Sequence, residues 1–372
     1  MNRMTQMLGS VSAMALAFAP SIAAAAPVGT ASGTQISNTV TVSFNVGGVA
    51  QTPITSAADI FNVDRKIDLV VTTQESAAVS VTPGSTNQVT RFQVTNNSNA
   101  AVDFLLAATQ QSGGTAKFTG NDNFNANNVR IYVETNGTTG WQATDTLASA
   151  LAAVASGDSV TVYVVSDIPL AQVNGDLATV ILTATAASGA SAVGGTPAGT
   201  AGTGGTALAQ TGAGVANGKT TVETVFADAQ AEAATGDGLK DGKHAARADY
   251  RVSAATLSVA KYSRVVSDPF SGAASPRAIP GAVVEYCIVI SNAAGGATAD
   301  SVIASDAIPA TLTYVTNSVF LNGTFNGTDT CTDTGGTPGN DGTNVSGSTV
   351  TNNFGSVAAG LTRTLRFRAT IK

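Results

Sequence analysis

Apolar and polar residues alternate with a period of two along much of this chain. In Thr39–Val46, Val40, Val42 and Phe44 share one face and Thr39, Thr41 and Ser43 the other. That period marks an extended strand, whose successive side chains point to opposite faces. Gly47-Gly48 follows and leads into a second extended run, so a hairpin is expected over about 34–63. Further strands are expected at Ile67–Thr73, Val89–Thr95, Val102–Ala108, Val129–Glu134, Val160–Val165 and Thr179–Thr185. After residue 255 the alternation resumes at Thr256–Tyr262, Val283–Ser291, Ser301–Ser305, Leu312–Val315, Val350–Phe354 and Arg363–Ile371. Thr, Val and Ile fill these runs because β-branched side chains suit a pleated, half-buried surface. One stretch has another period. Leu147, Leu151 and Val154 recur at helical spacing between Asp145 and Gly157, which predicts a short helix.

Three segments lack the alternation. Residues 1–25 carry Arg3, the apolar run Val11–Ala19 and small residues at Ala23–Ala25. This is the layout of a secretory signal peptide, and export is expected. The apolar run is too short to span a bilayer, and no later segment reaches the 18 or so apolar residues of a membrane helix. Gly189–Gly218 is almost all Gly, Ala and Thr, so a flexible linker is expected there. Residues 219–250 are mixed and charged, and Thr220–Phe226 fits a strand or a short helix equally well.

Two segments repeat one another. The first runs Ile67–Val71, Pro83-Gly84, Val89–Thr95, Asn96; the second runs Thr256–Lys261, Pro280-Gly281, Val284–Ser291, Asn292. Pro sets one turn dihedral and Gly accepts a positive φ, so each Pro-Gly marks a turn. Strands separated by such turns at short intervals indicate β-sandwiches.

The second copy resembles the bacterial conserved-repeat domain of exported surface proteins, the domain of unknown function numbered eleven. The resemblance rests on Pro280-Gly281, the strand Val284–Ile290 with Tyr286, Asn292, and Ile308-Pro309-Ala310-Thr311-Leu312-Thr313-Tyr314-Val315. Val357–Gly360 and the closing Leu361–Ile371 extend it, so it covers the chain from Thr256 to the end. The first copy matches only the first half of the pattern. The resemblance implies tandem Ig-like sandwiches on a bacterial surface and transfers no catalytic residue.

Composition narrows the chemistry. Charged residues make up 11%, so Thr, Ser, Asn and Gln must supply most of the polar surface. A net charge of -6 with 18 Lys+Arg argues against a nucleic-acid partner. One His and two Cys are too few for a Cys/His zinc cluster. In an exported chain the two cysteines, Cys287 and Cys331, are expected to form a disulfide that pins Asn322–Val350 to the sheet. His244 lies in a polar stretch without a catalytic motif and reads as an exposed linker residue. The oxygen-rich stretches Asn121–Asn125 and Asp237–Gly242 do not match an EF-hand loop and read as Asx-rich turns. A single Trp, Trp141, is a poor basis for sugar stacking.

The sequence thus predicts an all-β chain of tandem Ig-like β-sandwiches: signal peptide 1–25, N-terminal sandwich with leading hairpin 26–188, connection 189–254, and C-terminal conserved-repeat domain 255–372. No catalytic, cofactor-binding or metal-binding residue is assigned. The expected role is structural or adhesive, at the cell surface, outside the cell or in the periplasm. Envelope proteins or surface glycans are the candidate partners of a binding module, and free sheet edges raise the prospect of homotypic assembly.

Overall fold

The alternating runs pair into largely antiparallel sheets in the computed structural model, which describes residues 28–193, 200–211 and 218–372. The expected signal peptide lies outside the described residues. The first sandwich is built from β1 (Leu69–Thr73), β2 (Val79–Val81), β3 (Gln88–Asn96), β4 (Val102–Gln110), β5 (Asn127–Val133), β6 (Ala150–Val154), β7 (Ser159–Asp167), β8 (Leu177–Ser188), β9 (Thr200–Thr203) and β10 (Lys243–Val252). One sheet runs β5-β7-β3-β1 and the facing one runs β9-β6-β4-β8-β10-β2. Phe92 and Val94 of β3, Val162 and Val164 of β7, Phe104 of β4 and Leu182 of β8 fill the space between them.

The second sandwich comprises β11 (Leu257–Ser267), β12 (Val283–Asn292), β13 (Ala299–Ala307), β14 (Leu312–Tyr314), β15 (Phe320–Leu321), β16 (Thr349–Val357) and β17 (Thr362–Ile371). Here β11-β12-β17-β15 faces the smaller sheet of β13 and β16, over a separate core of Ile288, Ile290, Leu365 and Phe367. The chain is therefore two Ig-like β-sandwiches, each with its own core.

The internal repeat has a physical basis. Asn96 and Asn292 are both buried and do the same work. Asn96 Nδ2 donates to the carbonyls of Ala100 (2.9 Å) and Val154 (2.8 Å). Asn292 Nδ2 donates to those of Ala297 (2.9 Å) and Val357 (2.9 Å). Each amide ties the end of one strand to the last residue of a strand in the facing sheet. Replacing Asn292 by Ala strands the buried Val357 carbonyl and the part-buried Ala297 one, an expected cost of about 2 kcal/mol read as a lower denaturant midpoint. An unchanged midpoint refutes this role.

Several expectations are corrected. The helix over 145–157 is instead a short strand, Thr146–Leu147, followed by β6. Val102 pairs with Val154 and Phe104 with Leu151, so three steps on β6 match two on β4. The extra residue forms a bulge at Ala153, whose φ is 54°. The bulge puts Leu151 and Val154 on the same core face, and this three-residue interval imitates helical spacing.

The segment 189–218 is not simply a linker. Ser191–Ala192 pairs with β9, β9 pairs with β6, and Thr206–Ala207 pairs with β8. Its small residues reflect close approach: a Cβ on Gly202 would lie 3.1 Å from the Ala152 Cβ. Residues 194–199 and 212–217 lie outside the described residues. Beyond them, Thr224–Phe226 is a strand paired in parallel with Arg65–Ile67.

The first sandwich also extends past 188, because β10 pairs along β8 and carries Ala246, Ala248, Tyr250 and Val252 into the core. Burial pushes the Tyr250 phenol up to about 12. The two sandwiches meet between Val252 and Leu257, not across a connection at 189–254. His244 belongs to β10 rather than to an exposed linker, and its Nδ1 accepts the Val71 N–H at 3.1 Å.

The leading hairpin is a long arm. Gln35–Asn38 pairs with Asp59–Asn62, Thr41–Val42 with Ile54–Thr55, and Asn45–Val46 with Val49–Ala50. Gly47 and Gly48 turn the tip with φ of 57° and 83°. Its base is held by Lys219, which pairs with Asp59 at 2.8 Å.

Candidate functional site

The outer face of the second sandwich carries the most elaborate chemistry. In β12, Tyr286 and Ile288 point into the core while Glu285 and Cys287 point outward. The strand register sets Glu285 opposite Arg264 of β11 and Arg368 of β17, and Cys287 opposite Tyr262 and Arg366. Cys287 is joined to Cys331 across a sequence separation of 44. Tyr262 stacks on Phe325 with centroids 5.2 Å apart. The loop after β15 is thus folded over the sheet's outer surface, and both cysteines are buried beneath it.

Glu285 anchors an ionic cluster on this face. Its side chain is 1% exposed. Oε1 accepts from Arg264 Nε (3.0 Å) and Nη2 (2.8 Å), and Oε2 accepts from Arg368 Nε (2.9 Å). Burial pushes the Glu285 carboxyl up, but the two guanidiniums outweigh it and hold the group below its usual range. Arg366 lies beside Glu285, pairs with Asp333 of the loop, and covers the Phe320 ring. Strand periodicity could have placed Glu285 and Cys287 on one face. That three arginines meet Glu285 depends on the register of three strands.

The oxygen-rich stretches are occupied by the protein's own amides. Asp122 accepts from the Thr179 and Gly113 N–H groups, each at 2.8 Å. Asp237 accepts from the Ala231 N–H at 3.1 Å. The fully buried Asp228 accepts from the N–H groups of Asp241 (3.1 Å) and Gly242 (3.0 Å). Among the described residues, no group of three or more His, Cys, Asp or Glu side chains is placed to hold a metal ion. Trp141 packs edge-on against Tyr132, with centroids 5.6 Å apart. No helix among the described residues is long and apolar enough to cross a membrane.

A scan against protein-family models found no match. A search of curated proteins also found none. Among solved structures, the chain is similar to a class 5 fimbriae chaperone, CfaA, at 7% identity and a TM-score of 0.22, over 78% of this chain and 83% of that one. It is similar to a protein from Corynebacterium diphtheriae described as membrane anchored, at 11% identity and a TM-score of 0.19, over 91% of this chain and 89% of that one. It is also similar to the RrgB pilus protein of Streptococcus pneumoniae, at 12% identity and a TM-score of 0.18; the match covers 83% of this chain and 45% of that one. The assignment to two Ig-like sandwiches rests on the strand pairing described above.

Proposed function

We propose that this chain is an exported, non-catalytic structural component of the bacterial cell envelope, built on conserved-repeat-type Ig-like domains. The observation that carries this reading is how the side chains capable of chemistry are employed. The sole histidine, His244, caps a backbone amide of β1. Asp122, Asp228 and Asp249 are spent on backbone amides. Glu285 is enclosed by arginines, and both cysteines close one loop. These interactions stiffen two small domains. A cross-linked loop also suits an oxidising compartment.

Protease shaving of intact cells tests this reading. Digestion of the chain on intact cells is the expected result, beginning in exposed backbone such as the arm. Full protection until the outer barrier is opened would exclude a surface role and leave a periplasmic one.

A further inference from the structure

The two sandwiches differ at one edge. In the first, β4 pairs with β6 on one side and β8 on the other, and β10 continues the sheet and packs across onto β1. In the second, β13 pairs with β16 on one side, and its other side ends the sheet among the described residues. Among the described residues, the second sandwich thus has no counterparts of β8 and β10.

Equivalent core positions show the consequence. Leu69 lies opposite Asn96 just as Leu257 lies opposite Asn292. Two residues on, Val71 corresponds to Val259. Leu69 and Val71 are 0% and 2% exposed, whereas Leu257 and Val259 are 44% and 69% exposed. Leu257 and Val259 therefore occupy core-facing positions that no strand among the described residues covers. They border an opening of about 390 Å³ between β11 and β13, floored by Ile288, Ile290 and Val302. The Lys261–Asp306 ion pair, at 2.6 Å, bridges the two strands at one end of the opening.

The same molecule carries a matching element. The arm is a lone two-stranded ribbon, a form that is marginal in water unless its apolar face is covered. Val40, Val42, Phe44 and Val46 alternate along one strand and are all exposed, and Val42 pairs with Ile54, which is 63% exposed. Residues 28–58 contain no Asp, Glu, Lys or Arg. Free edges are ordinarily blunted with such charges.

We propose that the arm of one copy docks in the opening between β11 and β13 of a second copy. There its two strands take the place that β8 and β10 hold in the first sandwich. An alternating strand such as Val40–Val46 presents apolar side chains to the open core as Val180, Leu182 and Ala184 of β8 do in the first. Five residues of strand, Val42–Val46, span roughly 13 Å, about the length of Val302–Asp306 along the free edge. The stretch of the arm beyond Asp59, residues 35–58, has no ion to desolvate on entry. Arm and opening are different surfaces of one chain, so the contact is heterologous and propagates into open chains of subunits. This deepens the structural reading and rests on it only for its cellular setting.

Light scattering on the purified full chain tests the proposal. The wild type is expected to form oligomers that lengthen with concentration. An arm variant, Val42→Asp with Ile54→Asp, and an opening variant, Val259→Asp with Ile303→Asp, the latter a lining residue on β13, are each expected to weaken assembly on the order of 100-fold. All four side chains are exposed, so each variant should keep the wild-type melting midpoint. Mixing the two variants should give a one-to-one pair, because each retains the surface the other has lost. A wild type that stays monomeric at every concentration overturns the proposal. So does assembly that survives either variant, or binding of the arm to lipid vesicles without self-association. A failed assembly test alongside digestion on intact cells would remove the docking inference and leave the proposed surface role standing.

Discussion

Replacing Cys287 and Cys331 together by Ser is expected to destabilise the second sandwich by about 4 kcal/mol. A cross-link removes conformations chiefly from the unfolded chain, and the effect grows slowly with the enclosed loop; a separation of 44 residues corresponds to about 4 kcal/mol on the chain-entropy argument. The native state loses something as well. The loop over β12 would still be held by the Tyr262–Phe325 stack, the Arg366–Asp333 ion pair, the Thr364 hydroxyl on the Gly323 carbonyl and its backbone bonds. Guanidinium titration followed separately for each sandwich checks this. The second transition should move to lower denaturant in the double variant, and in the wild type under reductant. The first sandwich contains neither cysteine and should unfold as before. Coincident second transitions with and without reductant would show that the bond contributes nothing.

The second large effect is expected at Glu285. Changing it to Gln leaves Arg264, Arg366 and Arg368 around a neutral amide at a position almost closed to solvent. Breaking a buried ionic cluster from one side costs about 3–5 kcal/mol. The lower end applies here, because Arg264 and Arg368 remain 46% and 40% exposed and recover water. The effect must also depend on pH. The folded carboxyl titrates below its unfolded value of about 4.3, so its contribution is complete above that pH. It is lost as pH falls through the lower, folded value. The wild-type melting midpoint should therefore drop more steeply than that of E285Q in acid below about pH 4.3, and the two curves should converge. Parallel curves would mean that Glu285 is not held ionised by its arginines. Glu285 and Cys287 share one strand face and both touch the surroundings of Arg366, so the two effects should not add.

Much of this architecture was legible in the pattern of residues. Val40, Val42 and Phe44 opposite Thr39, Thr41 and Ser43 announced a strand, and Gly47-Gly48 announced its turn. The Pro-Gly and Asn positions of the repeat identified Asn96 and Asn292, whose amides tie facing sheets in both sandwiches. Two cysteines in a chain expected to be exported left a single possible intramolecular pair.

Elsewhere, local pattern misled for definite reasons. Leu151 and Val154 share a face because of the bulge at Ala153, and a bulge exists only relative to the partner strand. β9 is Thr-Ala-Gly-Thr, and β10 sets three Ala among Lys, Arg and Asp side chains, so neither gives a clear hydrophobic signal. They are buried because β6, β8 and the facing sheet close around them.

The sequence by itself determined the all-β character, the internal repeat and the available cysteine pair, because these follow from side-chain alternation, turn stereochemistry and residue count. Only the tertiary structure decided that β8 and β10 close the first sandwich while the equivalent edge of the second stays open. Leu69 and Leu257 are the same residue in equivalent strands, yet one is covered and the other is not. Burial belongs to the neighbours a side chain acquires, and those neighbours come from distant parts of the chain.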